Sequence, residues 1–252
     1  MRPIHIILIV LFLFPGLMCH GQRWKMKRYK LSIGVGGTSY FGDIGGAASE
    51  NNMFGLYDVD LESVRPNFHL SCGYKMYEKL HAKINLNYGM LRGSDVRSLN
   101  EQRAFSFKTT YFEPTVQMNY VFLQFHLRPT SSRIFNRRGM LNDFSKLEMF
   151  FSTSLGYLFF NPVLQHDRIP KLQLPDYRKS TFIIPIGGGV NYLVSNNLEI
   201  GLELARRMTF SDYLDGYSSR FSEFNDIYYV GLFILHYRIK ANRRGLPDVR
   251  FK

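Results

Sequence analysis

Two neighbouring stretches of this chain alternate with a period of two, and that constrains the fold more than any other feature. From 67 to 76 the even positions are Phe68, Leu70, Cys72, Tyr74 and Met76, and the odd ones are Asn67, His69, Ser71, Gly73 and Lys75. From 80 to 91 the even positions are Leu80, Ala82, Ile84, Leu86, Tyr88 and Met90, set against His81, Lys83, Asn85, Asn87, Gly89 and Leu91. Alternation of this kind predicts half-buried strands. Placing Met76 opposite Leu80 leaves the loop Tyr77-Glu78-Lys79, a common hairpin length, and puts both apolar faces on one side.

The same test applies further on. Phe182, Ile184, Ile186, Val190 and Tyr192 precede Leu198, Ile200, Leu202 and Leu204. Tyr192 opposite Leu198 leaves a five-residue turn around Ser195-Asn196-Asn197, with parity again matched. From 105 to 122, Val116, Met118, Tyr120 and Phe122 alternate with Glu113, Thr115, Gln117 and Asn119. A slip in phase near Thr110 suggests a bulge. From 147 to 159, Met149, Phe151, Leu155 and Tyr157 oppose Glu148, Ser152, Ser154 and Gly156. The last run, 227–239, is apolar on both faces, and its phase is left open. With the glycine-rich run near the start, eight strands of about 10 to 14 residues are expected, within the range a tilted membrane strand needs.

The connections sort by length. Tight turns join strands two to three and six to seven. Long ones lie at 42–64, 93–102, 161–180 and 211–225. Short turns on one rim and long loops on the other describe an all-β, eight-stranded antiparallel transmembrane outer-membrane β-barrel with periplasmic termini. A soluble lipocalin-like barrel would also alternate, with phase reversed. Its polar face would meet water and favour Lys, Glu and Thr. Here that face is mostly Asn, Ser and Gly, which suits a crowded lumen.

The first 21 residues read as a secretory signal peptide: Arg2, then an apolar core from Ile4 to Phe14 too short to span as a helix, then Pro15-Gly16 and small residues around a cleavage site. The competing reading makes Cys19 a lipidated cysteine, against which the bulky Met18 weighs. The expected organisation is a signal peptide over 1–21, a barrel over 22–239 and a basic periplasmic tail over 240–252. Cleavage leaves Cys72 as the only cysteine, so no internal disulfide is expected.

The stretch SIGVGGTSYFGDIGG, residues 32–46, holds six glycines. It is not a nucleotide loop. A dinucleotide fingerprint needs a third glycine where Ser39 stands, no Lys follows, and no helix opens after it. The barrel reading turns Gly34 and Gly36 toward a narrow lumen.

Several segments resemble the PorG family, the small outer-membrane barrel of the type IX secretion system: GVGGTSYFGDI at 34–44, RPNFHLSCGYKM at 65–76, LGYLFFNP at 155–162, FIIPIGGGVNY at 182–192 and RRMTFSDYLDGYS at 206–218. The likeness runs in order over nearly the whole mature chain, and Thr-Phe-Ser-Asp-Tyr-Leu-Asp is its most specific part. It implies a structural, non-enzymatic role in protein secretion, with PorK-like and PorN-like periplasmic ring components as partners. The alternative is a small outer-membrane barrel acting as lipid hydrolase, adhesin or ligand carrier.

Candidate chemistry is sparse. His69 and His81 lie on polar faces near Ser71, and a hydrolase would need such groups in hydrogen-bond reach. The reading as lumen polar groups is preferred. No histidine pair has metal-ligand spacing, and Asp212, Asp215 and Glu223 lack the spacing of a calcium loop, so no metal or cofactor is expected.

Charge is more informative. Net charge is +12, or +11 without Arg2. Residues 22–30 carry five net positive charges, 123–146 four, and 240–252 four, so the rest of the mature chain is slightly acidic. Strand order puts all three segments on the periplasmic rim. Arg128, Arg133, Arg137, Arg138, Arg243 and Arg244 are therefore the candidate partner-binding residues, with a merely solvated rim as the alternative. Outer-membrane lipid is the expected surrounding, and nucleic acid is not an expected partner.

Overall fold

The computed structural model describes residues 27–41, 44, 63–95, 105–126, 145–166, 177–195, 197–217, 225–242 and 246–247. The expected signal peptide, and with it Cys19, lies outside them. Eight strands follow in chain order: β1 (Tyr29–Phe41), β2 (Arg65–Lys75), β3 (Leu80–Ser94), β4 (Phe105–His126), β5 (Ser145–His166), β6 (Ser180–Leu193), β7 (Leu198–Thr209) and β8 (Ile227–Ile239). Each pairs antiparallel with its neighbours, and β8 pairs with β1 to close the barrel.

Closure has a defined stagger. From Gly89 on β3 the ladder passes through Asn67, Gly36, Leu232, Glu203, Gly189, Phe150 and Val121. The Val121 N–H then donates to the Lys79 carbonyl, 2.8 Å away and ten residues back from Gly89. For eight strands that stagger tilts them by roughly 40–45° to the barrel axis.

The outer wall is apolar at most alternate positions, with Thr153 and Arg206 among the polar exceptions. Ile33, Val35, Leu70, Ile84, Val116 and Leu155 are all exposed at mid-height. Tyr74, Tyr120, Tyr192 and Tyr237 ring the short-turn end. Tyr88, Phe112, Phe159, Phe182 and Phe210 ring the other. The inward positions hold Asn, Ser, Thr, Glu, Lys and His. An aliphatic belt between two aromatic girdles, around a polar interior, is the surface of a barrel in lipid.

Most of the expected register holds. Lys75 pairs with His81, so Met76 stands opposite Leu80 and the three-residue loop is present. The second hairpin differs by two residues. Tyr192 pairs with Ile200, not Leu198, and the Val194 N–H donates to the Leu198 carbonyl at 3.0 Å. The turn is therefore three residues rather than five; an even-numbered slip preserves which face each side chain takes.

Two other expectations fail for one reason. Inward and outward positions alternate without a break from Phe107 to Val121, so there is no bulge near Thr110. The irregularity falls between Val121 and Leu123 instead. What changes near Thr110 is the filling of the barrel, from polar groups to Phe107 and Tyr111. Likewise β5 does not end near Asn161 but runs to His166, and β4 and β5 reach 22 residues each. Inward Leu158 and Phe160 hide the alternation there.

The phase of β8 is now assigned. Tyr228, Val230, Leu232 and Ile234 point inward, and Phe233, Leu235 and Tyr237 outward. Gly34 faces Ile234 and Gly36 faces Leu232 across the closing seam. The bulk on one strand fills the space left by the missing side chains on the other.

Candidate functional site

The barrel interior is built in layers. Nearest the short-turn rim, Glu199 accepts from Lys30 Nζ at 2.5 Å and pairs with Arg238 at 3.1 Å. Above it, Lys83 Nζ lies 3.0 Å from Glu203 Oε2, and Gln117 donates to the other Glu203 oxygen at 2.8 Å. Asn85 donates to Gln117 at 2.6 Å. Higher still, Glu113 accepts from Tyr228 Oη at 2.6 Å and from Asn87 Nδ2 at 3.0 Å, with Arg207 Nε 3.5 Å away. These residues come from several strands and tie opposite walls together. All are buried or nearly so, and each charge depends on its partner in place of water.

The long-loop end is closed by apolar groups. Leu91, Phe107, Leu158, Phe160 and Ile183 form a cluster that also takes in Leu214, from the segment after β7. That segment is held in the mouth. Thr109 Oγ1 donates to the Leu214 carbonyl at 2.5 Å, and the Leu214 N–H donates to Asp226 Oδ2 at 2.8 Å. Tyr213 stacks on Tyr177 with centroids 4.9 Å apart. Tyr40 also donates to Asp226. Burial, then the nearby charge of Asp215, pushes Asp226 up to about 8, against the pull of these donors.

The two layers leave little space. A void beside Lys30, His81, Asn119 and His236 has about 10 Å³, close to the minimum for one water.

The sequence-flagged histidines separate. His69 and Ser71 do meet: His69 Nε2 lies 3.1 Å from Ser71 Oγ, and its Nδ1 lies 2.7 Å from Asn87 Oδ1. Because Asn87 Nδ2 is committed to Glu113, its oxygen faces His69, and Nδ1 carries the proton. That is the local geometry of a nucleophile and base, but both residues are buried among the polar groups of the lumen. His81 stands apart, opposite Lys75. A second contact, Ser32 Oγ to His236 Nδ1 at 2.7 Å, was missed because the apolar faces of β8 hid its phase.

Asp215 is buried at the mouth, and Glu223 lies outside the described residues. Among the described residues no group of three His, Cys, Asp or Glu side chains is placed to hold a metal.

Arg128, Arg133, Arg137, Arg138, Arg243 and Arg244 all lie outside the described residues. What is described of the short-turn rim is cationic: Arg28, Lys79, Lys146 and Lys240, with Glu78 as the exposed acid of the turn. Lys27 is tucked under this rim, donating to Asn197 at 2.7 Å. Burial, then the charges of Arg238 and Lys240, lowers it to about 8.

A family model described as "Domain of unknown function (DUF6089)" matches residues 5–233. No curated protein is significantly similar in sequence. Among solved structures, Neisserial surface protein A is similar at 8% identity and TM-score 0.43, over 83% of this chain and 96% of that one. A major outer membrane protein from Thermus thermophilus is similar at 13% identity and TM-score 0.43, over 83% and 99%. The N-terminal barrel domain of Pseudomonas aeruginosa OprF is similar at 12% identity and TM-score 0.40, over 84% and 99%.

Proposed function

We propose, from the premise that the chain belongs to the DUF6089 family, a domain of unknown function, that it is a structural and docking component of a protein secretion machine in the outer membrane. On this reading the short-turn rim and both termini face the periplasm. The barrel anchors a periplasmic ring complex there, with partners of the PorK and PorN kind.

The observation that carries the proposal is the contrast between interior and rim. Among the described residues the lumen is filled by interlocked ion pairs below and an apolar plug above, an arrangement unsuited to passing cargo. The short-turn rim presents Arg28, Lys79, Lys146 and Lys240 against Glu78. A barrel that transmits nothing through its centre but presents a charged collar is suited to holding something in place. The resemblance to the PorG family supports the secretion context. Arginine suits the bidentate carboxylate contacts of an acidic partner surface.

The test is charge reversal. Changing Arg137, Arg138, Arg243 and Arg244 to Glu leaves insertion intact, since none lies in a described strand. It weakens capture of the periplasmic complex in a salt-sensitive way and lowers secretion. A variant that inserts, captures the same proteins and secretes normally overturns docking through this rim. Hydrolysis of lipid by the purified barrel would instead favour the enzyme alternative.

A further inference from the structure

The wall of the barrel has a weak place on both sides of β5 at one height. Pro114 on β4 keeps its pairing with Leu86 of β3. Toward β5 the ladder skips from Phe112 and Phe159 to Thr115 and Gly156, with no change of register. Pro185 on β6 keeps its pairing with Arg207 of β7. Toward β5 that ladder skips from Thr153 and Ile186 to Gly156 and Ile183. Proline has no N–H to give a ladder. Both prolines withhold it from β5, so the stretch from Ser154 to Leu158 is gripped less tightly than the rest of the wall.

Over this seam the outer surface is hollow. An open groove of about 660 Å³ is lined by Pro114, Val116, Leu155, Tyr157, Phe182 and Phe210, among others. That volume is in the range of small-molecule sites, roughly 300–1,000 Å³. The groove starts in the aliphatic belt and climbs to the aromatic ring at the long-loop end. Its lining is apolar apart from Thr115, whose hydroxyl turns inward to Asn85, and Tyr157 Oη, which lies 3.3 Å from Ser180 Oγ.

Cations stand at its head. The Phe160 N–H donates to the Lys179 carbonyl at 3.0 Å, which places Lys179 over β5, and Lys179 Nζ reaches Asn161 at 3.0 Å. On the other side of β5, Lys108 pairs with Val163. Both lysines and Arg178 are exposed. Glu113, next to Pro114, turns inward to Arg207, and Asp212 lies two residues beyond Phe210, so among the described residues the outer head of the groove has a positive balance.

We propose that this groove holds one acyl chain of a phosphorylated, multiply acylated outer-leaflet lipid of the lipid A class, with Lys108 and Lys179 taking its phosphate. Fluid lipid covers any barrel wall. What distinguishes this site is a hollow that an evenly packed chain would leave unfilled, topped by ammonium groups suited to phosphate. The inference assumes the orientation proposed above, with the long loops outward, but binding in a micelle does not depend on it. Failure of the docking reading and failure of this one are therefore separable.

The experiment is native mass spectrometry of the detergent-purified barrel, with bis-phosphorylated hexa-acyl lipid A added as probe and phosphatidylglycerol as the second arm. Heat-modifiable gel migration confirms folding of each variant. The expected result is one lipid A adduct per barrel, with phosphatidylglycerol retained about tenfold less. Leu155→Trp fills the groove and lowers the adduct about tenfold, a loss of roughly 1.4 kcal/mol of binding. Phe233→Trp, an exposed position on the opposite wall, leaves it unchanged. Lys108→Gln with Lys179→Gln, which lie above the wall packing, lowers lipid A retention whether or not Leu155→Trp folds. The proposal is overturned if the native barrel retains no lipid A, if the lysine pair changes nothing, if a folded Leu155→Trp binds as the native chain does, or if phosphatidylglycerol is held equally well.

Discussion

Gly36 on β1 faces Leu232 on β8 so closely that a β-carbon on Gly36 would stand 1.9 Å from the Gly231 carbonyl oxygen. The obstacle is backbone, which cannot rotate away. Gly36→Val therefore blocks closure, and the protein loses its heat-modifiable gel shift. Gly231→Ala is the matched control. A β-carbon there meets only a Leu204 methyl at 3.8 Å, so this variant keeps the shift. Equal behaviour of the two would refute the tight seam.

The Lys83–Glu203 pair joins opposite walls at 3.0 Å in the buried lumen. Lys83→Met leaves Glu203 with an uncompensated charge and costs about 3–5 kcal/mol. Lys83→Met combined with Glu203→Gln removes both charges and recovers part of that loss. Thermal melts followed by circular dichroism give the comparison, and additive losses would mean that the two residues do not act as a pair.

Leu86 faces lipid at mid-height, opposite Leu70 of β2. Leu86→Arg costs about 2–4 kcal/mol near the midplane, and Leu86→Phe is close to neutral. Unfolding by urea in lipid vesicles checks both. Asn87→Arg would be a mild control if the lumen had room. It does not serve as one, because Asn87 is locked between His69 and Glu113.

Asp226 makes the mouth of the barrel sensitive to pH. Its carboxyl has an ordinary value of 3.8 and is raised to about 8 in the folded chain. Between those limits the unfolded chain has lost this proton and the folded chain keeps it. Its contribution therefore falls as pH rises from about 4 to about 8 and is flat beyond. The surrounding groups are Tyr40 on β1 and Asp212 and Asp215 in the mouth segment. Hydrogen exchange at the Leu214 amide, corrected for intrinsic rate, accelerates as pH is raised through that window. In Asp226→Asn the pH dependence flattens, even though one of its two hydrogen bonds is lost. An unchanged profile in the variant would remove Asp226 from this role.

A filled lumen also predicts silence in planar bilayers. The reconstituted barrel gives no steady ion current, because Glu199, Glu203 and Glu113 are each engaged by cations or donors from other strands. Open-pore currents of porin size would contradict the packing of this interior.

How much was legible follows from what the lumen contains. Where polar side chains fill it, as from Asn67 to Lys75 and from His81 to Gly89, alternation is strict and both phase and register can be read. Where apolar side chains fill it, the two faces look alike. That hid the phase of β8, displaced the irregularity of β4 from Val121 to Thr110, and cut β5 short at Asn161. The contact of His69 with Ser71 was anticipated as a neighbourhood but not as a distance, since spacing along a strand does not fix rotamers. The prolines at 114 and 185 carried a readable signal, a donor missing from a ladder, but only the register shows that both face the same strand.

The closing seam joins parts of the chain made far apart in time. Ser32 and His236, which share a hydrogen bond across it, are 204 residues apart in sequence. Joining distant segments carries a loop-closure cost before any contact is gained, and such topologies assemble slowly. Until β8 is delivered, β1 has an unsatisfied flank along its whole length, from Tyr29 to Phe41, and a bare strand edge is an aggregation hazard. A chain cut short before β8 is thus not a slightly weaker barrel but an open sheet that cannot be finished. The last strand of the wall acts as a completeness check on every strand that precedes it.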